Sequence, residues 1–306
     1  MKFILDFPIP VQPLLNYQTP VITMGSCFAD RMADKLVESR FKVFQNPSGI
    51  IYNPISIAKT FSNSNQEEPN PSDLIFDQGL WHSWHHHGQF SNANKEALVS
   101  KITETNKGLQ SWLGQEKSTV LITFGSAWVY ENNDQIVANC HKLPNKDFTK
   151  RLLQPQEIIE AFLDILKRYP QHDFLFTVSP VRYTRDGLHN STLSKSVLHL
   201  AVNALVQQFK HCHYFPAYEI VMDELRDYRF YDTDLVHPNQ LAIDYVWDKF
   251  KATALDEMSQ DMIKDWQVVQ KMKEHKLLYP DSLESVKFME NRTEKVRVFE
   301  ATYFRQ

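Results

Sequence analysis

The sequence predicts an α/β protein in which a parallel central sheet is covered by helices on both faces. Three observations carry this. Short, nearly continuous apolar runs recur along the chain, as strands buried on both faces require, and "STVLITFGSAW" (118–128) is the strongest of them. Segments with apolar residues at helical spacing alternate with these runs, which implies right-handed crossovers into one sheet. The composition can fill such a core: 42% of the 306 residues are hydrophobic, including 20 Phe, 12 Tyr and 6 Trp.

Residues 1–19 read as an extended lead-in broken by Pro8, Pro10 and Pro13. "PVITMGS" (20–26) is a short strand ending in a turn. "CFADRMADKLVESR" follows as a helix, with Phe28, Met32 and Leu36 on one face. "FKVFQNPSGIIYNP" (41–54) predicts a second strand running into a Pro/Gly loop. The polar, Asn-, Ser- and His-rich stretch from 61 to 95 reads as an insertion or long loop. Downstream, "QPQEIIEAFLDILKRYP" is a helix, "HDFLFTVSPV" a buried strand, "NSTLSKSVLHLAVNALVQQF" a helix and "HCHYFPAYEIV" another strand. "LAIDYVWDKF" is a helix after "HPNQ". Strand patterns fade from about 251, where two further helical segments begin. The expected organisation is one domain over 1–250 with a helical C-terminal extension over 251–306.

The charge balance, −4 overall with scattered Lys and Arg, gives no reason to expect nucleic acid as a partner. Cys27, Cys140 and Cys212 lie too far apart for a disulfide framework and fit a reducing compartment. The apolar start before Asp6 is too short for a signal-peptide core, and no run has the length of a membrane span. A soluble, cytoplasmic protein with no membrane partner is the expectation.

In a parallel α/β sheet, ligands bind at the carboxyl ends of the strands. Ser26 stands at such a place, where backbone N–H groups and the positive end of a helix favour an oxyanion. A serine needs a base to become a nucleophile, usually a histidine oriented by a carboxylate. "YDTDLVHPN" supplies Asp234 and His237, three residues apart and just before a helix, so the carboxylate can reach the near ring nitrogen. A Ser before a helix is also a common N-cap, and the two roles are compatible.

These residues resemble a known family. "GSCFA", Gly25 to Ala29, is the motif that names the GSCFA-domain family of bacterial proteins, which look like members of the SGNH/GDSL hydrolase superfamily. The resemblance extends through "FGSAWVY" (124–130), "NCHKLP" (139–144), "SPVRYTRDG" (179–187), "NSTLSKSVL" (190–198), "FPAYEIVMDELRDYRFY" (215–231) and "DLVHPN" (234–239). It implies a three-layer α/β/α flavodoxin-like fold and a Ser26–Asp234–His237 triad. The activity implied is hydrolysis or transfer of a short acyl ester on a small-molecule or carbohydrate substrate, with no metal or organic cofactor. Gly49 resembles the superfamily glycine whose N–H, with that of Ser26, helps hold the oxyanion. The third superfamily block, G-x-N-D, reads Gly125-Ser126-Ala127-Trp128 here, so its asparagine donor is absent and Asn139 is the first candidate to replace it. Loss of that donor also favours an alternative, a non-catalytic binding or scaffold protein on the same fold.

Other groups are weighed against blander roles. Cys27, beside a helix N-terminus, is a second option as nucleophile. The segment "WHSWHHHGQFS" carries His82, His85, His86 and His87, but consecutive histidines cannot all face one ion, and a polar loop over the cleft is the better reading. Arg182 follows a predicted strand end, placed to meet an anionic substrate group or to buttress a loop. His141 is a pocket candidate. Lys195, Arg226 and Arg229 read as surface ion-pairing residues, and Tyr218 and Trp247 as core.

Overall fold

The computed structural model describes residues 5–304; the first four residues of the apolar start lie outside it. In chain order the elements begin with β1 (Val21–Gly25), α1 (Cys27–Glu38), β2 (Val43–Gln45) and α2 (Pro54–Asn63). A hairpin of β3 (Leu74–Asp77) and β4 (Leu80–Ser83) leads to α3 (Lys95–Leu113) and β5 (Thr119–Phe124). Then come β6 (Trp128–Asn132), β7 (Gln135–Val137), β8 (Thr149–Leu152), α4 (Pro155–Arg168), β9 (Asp173–Val178), α5 (Leu188–Gln208) and β10 (Cys212–Tyr214). A single turn, α6 (Ala217–Glu219), widens into a π-helical stretch over Ile220–Leu225, and α7 (Gln240–Ala254), α8 (Glu257–Glu274) and α9 (Leu283–Tyr303) complete the chain.

The central sheet is five-stranded and parallel, in the order β2-β1-β5-β9-β10. Counted along the chain these are strands 2-1-3-4-5, the flavodoxin-like order. Its inner strands are apolar on both faces because both faces are covered. Along β5 and β9, Val120, Ile122, Phe174 and Phe176 point into a core built with α2, α3, α4 and α5. Leu121 and Leu175, between them in sequence, point the other way, toward α1, α7 and α8. Three α/β/α layers follow from that alternation, as the sequence predicts.

Local signals explain the ends of the helices. Asn53 and Asn239 cap α2 and α7 by accepting the N–H groups of Ser56 and Ala242. In α4, Glu157 reaches back to the N–H of Gln154. The C-terminal helices join the main core: Met262, Ile263, Val269 and Phe299 lie in the same cluster as Phe28 and Leu36. Arg40, just after α1, stacks between Trp266 and Phe304 at 4.9 and 5.1 Å and pairs with Glu300 at 2.7 Å.

Several segments differ from the sequence expectation. The stretch 61–95 is partly structured: Phe61 is core, and β3 and β4 pair into a hairpin. Residues 128–152 form an antiparallel sheet, β7-β6-β8, that periodicity does not reveal. The strand expected over "HCHYFPAYEIV" stops at Tyr214, since Pro216 ends the ladder and the apolar residues after it serve a helical face. Among the described residues, no helix is long and apolar enough to cross a membrane.

Candidate functional site

A cavity of about 770 Å³ opens at the carboxyl ends of β1, β5 and β9, where the strand order reverses between β1 and β5. Ser26, Cys27, Gly125, Ser126, Asn139, Ser179, Arg182 and His237 are among the residues lining it. Its far wall comes from the small sheet, through Trp128, Tyr130 and Val137.

Ser26 is set there by the residue before it. Gly25 has φ +131°, and a Cβ at that position would stand 2.1 Å from the Thr123 carbonyl oxygen, so only glycine lets the end of β1 lie this close to β5. Ser26 then occupies the N-cap position of α1, yet its hydroxyl makes no capping bond. It is 1% exposed, and Ser26 Oγ has no hydrogen-bond partner among the described residues. A buried hydroxyl left unpaired costs about 1–3 kcal/mol. A capping role does not account for this serine.

Asp234 and His237 form a joined pair. Asp234 Oδ2 lies 2.6 Å from His237 Nδ1, while Asp234 Oδ1 accepts the N–H groups of Val236 and His237 at 2.8 and 3.0 Å. The backbone N–H and ring of His237, followed by the Val236 N–H, hold the Asp234 carboxyl down at about 2. This tight turn needs Leu235 in the left-handed region, at φ +58°. The Arg182 N–H donates to the Val236 carbonyl at 3.3 Å and ties the turn to the loop after β9. Ser26 and His237 line the same cavity, but no hydrogen bond joins them, and His237 is about half exposed. The Asp–His link is made and the His–Ser link is open.

The oxyanion donors expected from sequence are not where that expectation places them. Ser26 N–H donates to Thr123 O at 3.2 Å. Gly49 N–H donates to Asn46 O at 2.7 Å, and Gly49 does not line the cavity; its φ of +75° closes a turn against His87 instead. The Cys27 N–H, at the first turn of α1 and on the cavity lining, is not spent on a backbone carbonyl. Asn139 lines the cavity, its Oδ1 accepting the His141 N–H at 2.8 Å and its Nδ2 making no bond among the described residues. Burial pushes the Cys27 thiol up, with Asp30 adding to it, so Cys27 is not the activated group that a helix N-terminus alone suggests.

Gly125 and Ser126 line the cavity floor but are spent internally. Both N–H groups donate to Tyr52 O, at 2.8 and 3.0 Å, and Ser126 Oγ accepts the Trp128 N–H at 3.0 Å. His141 is not part of the lining: it is buried, held at 2.8 Å to Ser83 O, tilted against the His82 ring at 4.6 Å and kept neutral by burial, near 4. Of the four neighbouring histidines only His87 reaches the cavity. His82 and His86 engage Ser91 and Ser83 at 2.6 and 2.8 Å, and His85 lies 3.3 Å from Asp73.

The GSCFA family model matches residues 20–250, most of the chain. The chain belongs to the GSCFA family. No curated protein matches it.

In this GSCFA protein the residue most at odds with its sequence reading is Lys195. It is 4% exposed, not a surface group, and its Nζ donates to the carbonyls of Gly125 and Ser179 at 2.8 and 2.7 Å. Burial lowers Lys195 to about 7. Lys195 thus joins the ends of β5 and β9 beneath the cavity. A helical signal was available: Ser191, Ser194, Lys195, Leu198, Ala201 and Leu205 make one buried stripe of α5.

Proposed function

We propose that this GSCFA protein is a serine-dependent acyl ester hydrolase or O-acyltransferase of the SGNH/GDSL type. Its substrates would be short esters such as O-acetyl groups on a carbohydrate or other small molecule. Ser26 Oγ attacks the ester carbonyl while His237 takes its proton, giving a tetrahedral oxyanion. The C–O bond to the alcohol then breaks, and His237 returns the proton to the departing oxygen. Water, or a second alcohol, attacks the acyl-serine by the same steps in reverse and frees Ser26. Asp234 keeps the His237 tautomer and stabilises its charged form. The oxyanion meets the Cys27 N–H at the start of α1, with Asn139 Nδ2 as side-chain donor. This chemistry needs no metal or organic cofactor.

One observation supports the reading above all: an unspent, buried hydroxyl at Ser26 shares a cavity with a histidine already oriented by a carboxylate. For Nε2 to meet Oγ, the exposed His237 turn must settle inward when substrate closes the cavity, as catalytic contacts often tighten on binding. A fluorophosphonate probe tests this. Labelling at Ser26, lost in Ser26→Ala and slowed in His237→Ala, is expected. Absence of labelling in folded protein favours the second reading, a binding protein on the same fold, which the open His–Ser link and the committed N–H groups of Ser26 and Gly49 support.

A further inference from the structure

The Lys and Arg side chains lining the cavity have no acidic counterpart there. Lys142, Arg182 and Arg185 line it together with His87 and His237, and no Asp or Glu is among the lining residues. This is unexpected in a chain with 37 acidic residues against 33 basic ones. Nor are these cations neutralised from behind: among the described residues, none of the three forms an ion pair. Several carboxylates outside the lining have partners of their own: Asp234 is held by the His237 ring and by the N–H groups of Val236 and His237. Asp186, next to Arg185 in sequence, pairs with Lys150, and Asp30 accepts from Asn46 at 2.5 Å and Gln45 at 3.1 Å. Glu219 is taken by Tyr214 at 2.7 Å.

Arg182 is also held in place. Its guanidinium stacks on Tyr231 at 4.5 Å and Tyr228 at 5.3 Å, and its N–H is tied to the turn that carries His237. A planar cation fixed on aromatic rings without a carboxylate partner keeps its outward-facing donors free for a bidentate anion. Part of the lining is aromatic: Trp128, Tyr130 and Tyr183 line the cavity, and Lys150 sits over all three rings at 5.2, 5.2 and 5.4 Å. A low-dielectric cleft with walls of one sign concentrates ligands of the opposite sign.

We infer that the ligand of this cavity is anionic, an ester bearing a carboxylate or phosphate next to a ring, with Arg182 and the rim cations Arg185 and Lys142 receiving the charged group. The substrate part of this rests on the esterase reading; the anion binding does not.

Two matched esters separate the effects: 4-acetoxybenzoate and its uncharged isostere 4-acetoxybenzamide. The charged ester is expected to show kcat/KM at least about tenfold higher, a preference that shrinks with added salt and is lost in Arg182→Gln/Arg185→Gln. Equal rates, or preference for the amide, would overturn the inference. If neither ester is cleaved, the esterase reading fails while the inference still stands to be decided by calorimetry on the intact chain, with 4-hydroxybenzoate, 4-hydroxybenzamide and phenyl phosphate. Tighter binding of either anion, weakened in the double variant, supports it and tells carboxylate from phosphate. Equal affinities, including none for any of the three, overturn it.

Discussion

Asp234 and His237 are joined twice, ring nitrogen to carboxylate at 2.6 Å and backbone N–H to the other carboxylate oxygen at 3.0 Å. The carboxylate therefore sets both the orientation of the imidazole and the turn that presents it. Because the folded Asp234 titrates near 2, below the ordinary carboxylate range, its contribution to the turn is complete at neutral pH, declines as pH falls below the ordinary value of 3.8 and is gone below about 2.

Asp234→Asn keeps the shape and removes the charge. Hydrolysis of a short acyl ester should fall by about 1,000- to 10,000-fold, with little change in melting temperature because the turn is exposed. An unchanged rate in steady-state assays would remove Asp234 from the mechanism.

Gly25→Ala should be among the most damaging single changes. The new Cβ would meet backbone, not a movable side chain, at 2.1 Å, and φ +131° is closed to alanine. A loss of more than about 3 kcal/mol is expected in denaturant titration. A mild effect would mean that β1 and β5 can part at the cavity without cost.

Lys195→Met leaves the Gly125 and Ser179 carbonyls without their shared donor. The expected cost is about 2 kcal/mol. The pH dependence has a definite sign. The folded Lys195 titrates near 7, below its ordinary range, so between there and about pH 10 the unfolded chain holds a proton that the folded chain has shed. Its contribution to stability therefore rises with pH across that window, and the methionine variant should lose this component when unfolding is followed at several pH values.

Asn139→Ala tests the side-chain oxyanion donor. A fall in kcat of about 100-fold with KM nearly constant is expected, since the contact strengthens in the transition state. If kcat is unchanged, the Cys27 N–H suffices.

The sheet was legible from sequence because its inner strands are buried on both faces, which makes "TVLITF" and "DFLFTV" read as continuous apolar runs. The small sheet was not, since β8 is "TKRL", a half-exposed strand whose long polar side chains mask any alternation. The Asp234–His237 pairing and the placing of Ser26 at the end of β1 were legible because residue type and spacing constrain them. Gly49 was misplaced for a different reason: a motif match fixes which residue stands in a turn, whereas the direction of its N–H depends on the backbone, here turned back on Asn46. Lys195 was hidden by its surroundings, because "STLSKSVL" looks solvated until the helical stripe is drawn through it.

The stretch shared across the GSCFA family and the stretch that must hold together are not the same length of chain. The match ends at residue 250, inside α7, where Phe250 stacks on Trp247 and meets Phe215 edge-on at 5.1 Å. Beyond it, α8 and α9 press on the C-terminal end of α1 through Arg40, and the Trp266 indole N–H donates to the Glu38 carbonyl at 2.7 Å. The helix whose first turn frames Ser26 is thus clamped at its last turn by residues outside the shared region. A substitution in that tail can shift Ser26 from behind, and so reshape the cleft without altering a residue that lines it.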